Sequence, residues 1–233
     1  MRVQLMDRGT FVWLPLGILS SCLAFMLVGC AGMGIVPPVK TVLTGTPKEI
    51  GAEALRSLQV SRVYYDIPKG TTIGMEYAGA VCRTLKPIVI EVEPRSQPNL
   101  ALAELLRKEF QMAGYPVVQS ENKLFLDDAA IPAELFIGAY VKEVQAYRCS
   151  KPGVFGVGPG AKGGVYMKVE WQLLAFPERK VVFTTTTEGA HTVPEFTPLK
   201  DFRPYAEAFA AAVKNLLADE EFHAHFVRSS SPY

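Results

Sequence analysis

Apolar and polar positions alternate most cleanly late in the chain. Val165, Met167, Val169, Trp171, Leu173 and Ala175 take turns with Tyr166, Lys168, Glu170 and Gln172. A period of two over that length predicts a strand with one buried and one wet face. Leu135, Ile137, Ala139 and Val141 set the same period, but the next apolar positions are Val144 and Ala146. The phase slips by one residue, so a β-bulge is predicted near Lys142-Glu143. Pro177-Glu178-Arg179-Lys180 predicts a turn into Val181–Thr187, a β-branched stretch. These three strands predict an antiparallel meander.

Upstream, Val63, Tyr65 and Ile67 form a strand pattern closed by Pro68-Lys69-Gly70, and Ile88, Ile90 and Val92 form another that stops at Pro94. Ile50, Ala54 and Leu58 at helical spacing predict a short helix over 48–58. Asn99 is placed to cap a helix whose apolar face is Leu102, Leu105, Leu106, Phe110 and Ala113. Glu104 and Lys108 pair on its other face, and Gly114 supplies the residue after its end. Tyr115 to Val118 predicts a short strand, and 119–132 a polar surface loop. A second helix is predicted over Tyr205–Ala218, with Phe209, Ala212, Val213, Leu216 and Leu217 as its stripe. Two amphipathic helices cannot cover both faces of such a sheet. The predicted fold is therefore α+β: a two-layer sandwich, mostly antiparallel, with both helices on one face.

The start of the chain obeys a different pattern. Arg2 and Arg8 precede an uncharged stretch from Phe11 to Val28. A basic segment followed by an apolar one is the pattern of an export signal. Pro15, Gly17, Ser20 and Ser21 interrupt the run, and no basic cluster follows it, which argues against a spanning helix. Leu27-Val28-Gly29-Cys30 closes the run and resembles the lipobox of bacterial lipoproteins. That resemblance implies diacylglycerol on the Cys30 thiol, cleavage before it and a further acyl chain on the new amino terminus. More than one chain makes such an anchor stable, at about 0.8 kcal/mol per buried CH₂. Ala31 after the cysteine implies, by the same resemblance, the outer membrane. The expected organisation is a signal over 1–29, a lipidated flexible tether over 30–47, one α+β domain over 48–228 and a disordered tail over 229–233.

Removing residues 1–29 takes away Arg2, Arg8 and Asp7, leaving 22 of the 24 basic and 22 of the 23 acidic side chains. A neutral chain gives no electrostatic case for nucleic acid as a partner. Of four cysteines, Cys22 leaves with the signal and Cys30 carries lipid. Cys82 and Cys149 remain and, in an oxidising compartment, are expected to pair; two separately buried thiols are the alternative.

Candidate chemistry is sparse. Gly158-Pro159-Gly160-Ala161-Lys162-Gly163 spells a dinucleotide-binding pattern, but a strand follows it where a helix is needed. It is read as a flexible insertion, with Val154, Phe155 and Val157 as a contact loop for a partner. His191 is placed after the last strand, and His223 and His225 on the surface of a frayed helix end, with no carboxylate framing a metal site. Glu91 and Glu93 share a strand face, where they face water. Trp171 is assigned to the core. No nucleophile with a base and an orienting acid is apparent. No catalytic residue, metal or cofactor is therefore expected, apart from the lipid on Cys30.

The element order, with Ala113-Gly114-Tyr115-Pro116-Val117-Val118 leaving the first helix, resembles the amino-terminal domain of TolB and the ABC-transport auxiliary lipoproteins. Asp66-Ile67-Pro68-Lys69-Gly70-Thr71-Thr72-Ile73-Gly74 and Val169-Glu170-Trp171-Gln172 resemble phrases in a non-catalytic domain that precedes exported trypsin-like proteases. These resemblances imply an envelope fold and carry no catalytic residue across. The function expected is a non-enzymatic lipoprotein, an accessory or structural subunit that binds other envelope proteins and faces the periplasm. The alternative is a lipid- or ligand-binding accessory of a transport system, with an apolar cavity between helices and sheet.

Overall fold

The computed structural model describes residues 38–48, 55–118, 133–153 and 159–228. The signal and lipobox, Val154, Phe155 and Val157 of the contact loop, the loop over 119–132 and the tail over 229–233 lie outside these residues. Among the described residues no helix is long and apolar enough to cross a membrane.

Strand β4 (Leu135–Lys151) is the spine of a six-stranded sheet. Strand β5 (Gly160–Ala175) pairs with it antiparallel, and β6 (Lys180–Pro198) pairs antiparallel with β5. The predicted meander is present. Its register shifts between Val141 and Glu143, where the broken phase places the bulge. The other edge of β4 is shared by two strands in succession. β1 (Leu58–Tyr65) runs parallel to the first half of β4, and β2 (Thr72–Ala78) parallel to the second. β3 (Arg83–Val89) closes that side, antiparallel to β2. The interruption between β1 and β2, at Asp66–Thr71, lies beside the bulge: Asp66 donates its backbone N–H to Val141 O at 2.9 Å.

The helices α1 (Leu100–Met112) and α2 (Pro204–Leu217) pack on one face, as the fold class requires. Asn99 caps α1 by accepting from the Leu102 N–H at 3.0 Å, and Gly114 follows it at φ +87°. Trp171, Val169 and Met167 of β5 meet Phe209, Ala212 and Val213 of α2 in one core, all fully buried. The α2 face is small, Ala208, Ala211 and Ala212, because it lies almost on the sheet. A Cβ on Gly189 would stand 2.1 Å from Ala208 O. The contact is fixed by polar groups as well. The Trp171 indole N–H donates to Thr187 Oγ at 2.8 Å, and the Thr187 hydroxyl donates to Ala212 O at 2.7 Å.

Several expectations need correction. The helix expected over 48–58 is not formed in its described part: Leu55 bridges to Val227 and Leu58 opens β1. Tertiary pairing overrides the weak helical period there. β2 has no counterpart among the expected strands, although Ile73, Met75 and Tyr77 alternate. The strand expected at Ile88–Val92 lies earlier, with Glu91 and Glu93 beyond its end. Tyr115–Val118 contributes a single bridge, Val117 to Leu58. A third helix, α3 (Glu220–Ala224), follows α2 and plugs the core with Phe222. His223 is therefore not a surface residue. It is 5% exposed, and its Nδ1 lies 3.1 Å from the Tyr115 hydroxyl, whose pKa burial pushes up to about 12. His191 lies within β6, not after the last strand.

Candidate functional site

Both helices take one face of the sheet; among the described residues the other face is covered only in part, by Lys40 over Tyr166 and by the side chains around Cys82 and Cys149. It carries what the strands present on their outward positions. On β4 these are Phe136, Gly138 and Tyr140, interleaved with the buried Ile137 and Ala139. Tyr64 of β1 stacks on Tyr140 with ring centres 6.2 Å apart and planes 20° apart. Arg62 donates to the Tyr64 hydroxyl at 3.1 Å. On the far side, Leu174 and Gln172 of β5 and Val181 of β6 complete a cleft of about 200 Å³. Gly138 makes the floor: it shows bare backbone where any side chain would fill the gap between Phe136 and Tyr140. The cleft therefore offers flat aromatic faces, aliphatic walls and a rim of Ser61, Arg62 and Gln172.

The bulge organises the next part of this face. Lys142, the inserted residue, reaches Asp66 at 2.5 Å and lies 3.9 Å from Glu170. Arg95, at φ +57°, grips the same Asp66 at 2.7 Å and lays its guanidinium 4.5 Å over the Tyr140 ring. Arg95 first and Lys142 second hold the Asp66 carboxyl down to about 2. This ion cluster pins the β1–β2 break against the bulge and fixes the Tyr140 ring from behind. Its charges are mutually satisfied. The chemistry on offer is stacking and hydrogen bonding, which suits binding an extended or planar group.

At the other end of the same face, Cys82 and Cys149 are bonded, 67 residues apart in sequence. The expectation of pairing holds. The bridge ties the β2–β3 turn to β4 and sits in a small second cluster with Tyr77, Met75, Tyr147 and Phe196. Cys82 adopts φ +51° to reach its partner.

Residues 38–48 change the picture of the tether. They do not hang free; they form a strap across the outer edge of β6. Lys48 N–H donates to Leu217 O at 3.2 Å. Gly45 N–H donates to Asn215 Oδ1, and the Asn215 amide donates to Leu43 O at 3.1 Å and to Glu188 O at 2.7 Å. Lys40 then crosses to the open face, pairing with Glu188 at 2.6 Å above the Tyr166 ring. Val39 is buried beside Gly164. The glycines and prolines of 31–47, Pro38, Gly45 and Pro47 among them, read as linker, while the partners that hold 38–48 lie some 125 to 175 residues away in sequence.

Of the residues singled out from sequence, the structure joins Cys82 to Cys149 and buries Trp171. Glu91 and Glu93 are exposed, and Glu93 pairs with Lys69 at 3.1 Å. Gly160 to Gly163 belong to β5, paired with β4, and form no flexible insertion. Among the described residues no group of three or more His, Cys, Asp or Glu side chains is placed to hold a metal. The cleft residues stand on the outward set of the alternation, while its inward set is what predicts the strand. Its outward set, Phe136-x-Gly138-x-Tyr140, carried the signal: two aromatics on a wet face.

No family model matches the chain, and no curated protein matches it. Among solved structures, the chain is similar to a DUF330 protein from Xanthomonas campestris, at 14% identity and a TM-score of 0.36, covering 78% of this chain and 91% of that one. It is similar to a PelC dodecamer subunit from Paraburkholderia phytofirmans at 12% identity and a TM-score of 0.34, covering 77% and 97%. A candidate lipoprotein from Caulobacter crescentus matches at 16% identity and a TM-score of 0.25, covering 65% and 82%. Likenesses of this degree assign no role to any residue here.

Proposed function

We propose that this chain is a lipid-anchored envelope protein, tied to the periplasmic leaflet of the outer membrane through Cys30. Its domain acts as a non-enzymatic accessory subunit that holds an extended segment of a second envelope protein. The observation that carries this reading is the aromatic cleft of Tyr64, Phe136, Gly138 and Tyr140 on the open face of the sheet. The Leu27–Cys30 pattern and the Cys82–Cys149 bridge support export and anchoring. The alternative of a ligand held between helices and sheet is less well supported, since Trp171, Phe209 and Phe222 fill that space and the cleft lies on the opposite face.

Two measurements test the proposal. Cys30→Ala should abolish metabolic palmitate labelling and release the protein from membranes; a mutant that stays bound rules the anchor out. A photoreactive residue in place of Val181 should give one discrete adduct in intact cells, weakened by Phe136→Ala, while the same residue at Met112 on α1 gives none. Equal adducts from both positions would contradict a partner at the cleft.

A further inference from the structure

The strap fixes where the chain joins the folded unit. Because Val39 is docked, only Ala31 to Pro38 separate the lipid-bearing Cys30 from the folded unit. Eight residues span at most about 26–29 Å when fully extended. From Lys40, beside Tyr166, to Val39, beside Gly164, the chain runs along β5 toward its Gly160 end. The cleft lies the other way. Leu174 is ten residues along β5 from Gly164, about 33 Å at the rise of a strand.

The Gly160 end of the sheet has its own character. Phe196 of β6 is half-buried over the disulfide cluster. Lys151 and Lys162 hold their ammonium groups 4.6 Å and 5.0 Å over its ring. Arg83 is exposed nearby on β3, and so are Val81, next to Cys82, and Leu85, at 46% and 61%. Glu195 is the acidic neighbour in sequence, and it is outnumbered by three cations. An apolar ring and side chains ringed by lysines and arginine suit the headgroup layer of a bilayer, where stems and rings go in and ammonium groups meet phosphates.

We infer that the end of the open sheet face bearing Phe196, Lys151 and Lys162 is a membrane-docking surface for anionic phospholipid, which holds the domain with its cleft pointing away from the bilayer. This rests on the lipid anchor proposed above. The anchor supplies the surface at high effective concentration, so a weak patch is sufficient.

The test uses the full lipidated protein in vesicles of phosphatidylcholine with or without phosphatidylglycerol, their acyl chains brominated near the headgroup. Trp171 is the one tryptophan outside residues 1–29 and is fully buried, so wild type gives the background. The fluorescence of F196W should be strongly quenched with phosphatidylglycerol, and that of V181W, at the cleft, should not. K151E/K162E in the F196W background should cut the docked-to-undocked ratio by roughly 25-fold or more, from about fivefold per basic residue near an anionic surface, while flotation with the vesicles is unchanged. Protein that floats but shows no F196W quenching overturns the docking surface and leaves the anchor standing; that outcome also covers a patch that meets a protein and not lipid. Equal quenching of F196W and V181W overturns the orientation. Protein that does not float at all refutes the anchor itself, and with it this inference.

Discussion

Replacing Asn215 by Ala should unfasten the strap without unfolding the domain. The side chain accepts from Gly45 N–H and donates to Leu43 O, and these two bonds belong to the strap alone; its third, to Glu188 O, ties α2 to β6. At about 1 kcal/mol for each bond to the strap, the substitution costs about 2 kcal/mol of docking free energy. Lys40–Glu188 is exposed and solvent-screened, and holds little on its own. The burial of Val39 and the Lys48 contact remain. A loss of about 2 kcal/mol raises the open population roughly 30-fold. Amide hydrogen exchange at Gly45 reads this directly and should accelerate by that factor, while amides in the centre of β5, which open only with the whole domain, change far less. Unchanged exchange at Gly45 in N215A would refute the reasoning. So would equal acceleration throughout β5, since that would mean the strap and the core open together.

Three further outcomes follow from other contacts. Gly189→Ala should destabilise by about 2–4 kcal/mol, because the added Cβ meets the α2 backbone at 2.1 Å and overpacking is compounded by loss of the Thr187–Ala212 bond. Gly138→Ala meets nothing nearer than Arg62 O at 3.5 Å and should be neutral or slightly stabilising; urea midpoints at constant slope compare the two, and equal values would refute the argument. Replacing both Cys82 and Cys149 by Ala should cost about 4 kcal/mol on the chain-entropy estimate for a 67-residue separation, read by the same unfolding curves. The Asp66 carboxyl titrates near 2 when folded, below its ordinary range, so its ion cluster contributes above pH 4 and is lost as pH falls from about 4 to about 2. Its partners are partly exposed, so the contribution is about 1 kcal/mol. Asp66→Asn should flatten that part of the stability–pH curve, and an unchanged acid limb would count against the cluster.

The one-dimensional pattern determined the parts of this protein whose partners are near in sequence. Period-two alternation located β4 and β5, the slipped phase at Lys142 located the bulge, and Asn99 with Gly114 bounded α1, because each signal is a local steric or hydrogen-bonding rule. The basic-then-apolar start and Leu27–Cys30 are also patterns of consecutive residues, but they lie outside the described residues. Only the tertiary structure decided how β1 and β2 share one edge of β4, since parallel pairing at a distance leaves no mark in either strand. It also decided the fate of 38–48, whose side chains look like linker until Asn215 and Glu188, far along the chain, supply their hydrogen bonds. His223 shows the same limit. A histidine near the end of a chain reads as surface until α3 folds back and the Tyr115 hydroxyl meets it in the core. The cleft falls between the two cases: its aromatics were visible on the wet positions of β4, but which face of the sheet stays open depends on where the helices land. That choice is made by burial summed over the whole core, and no local stretch of sequence carries it.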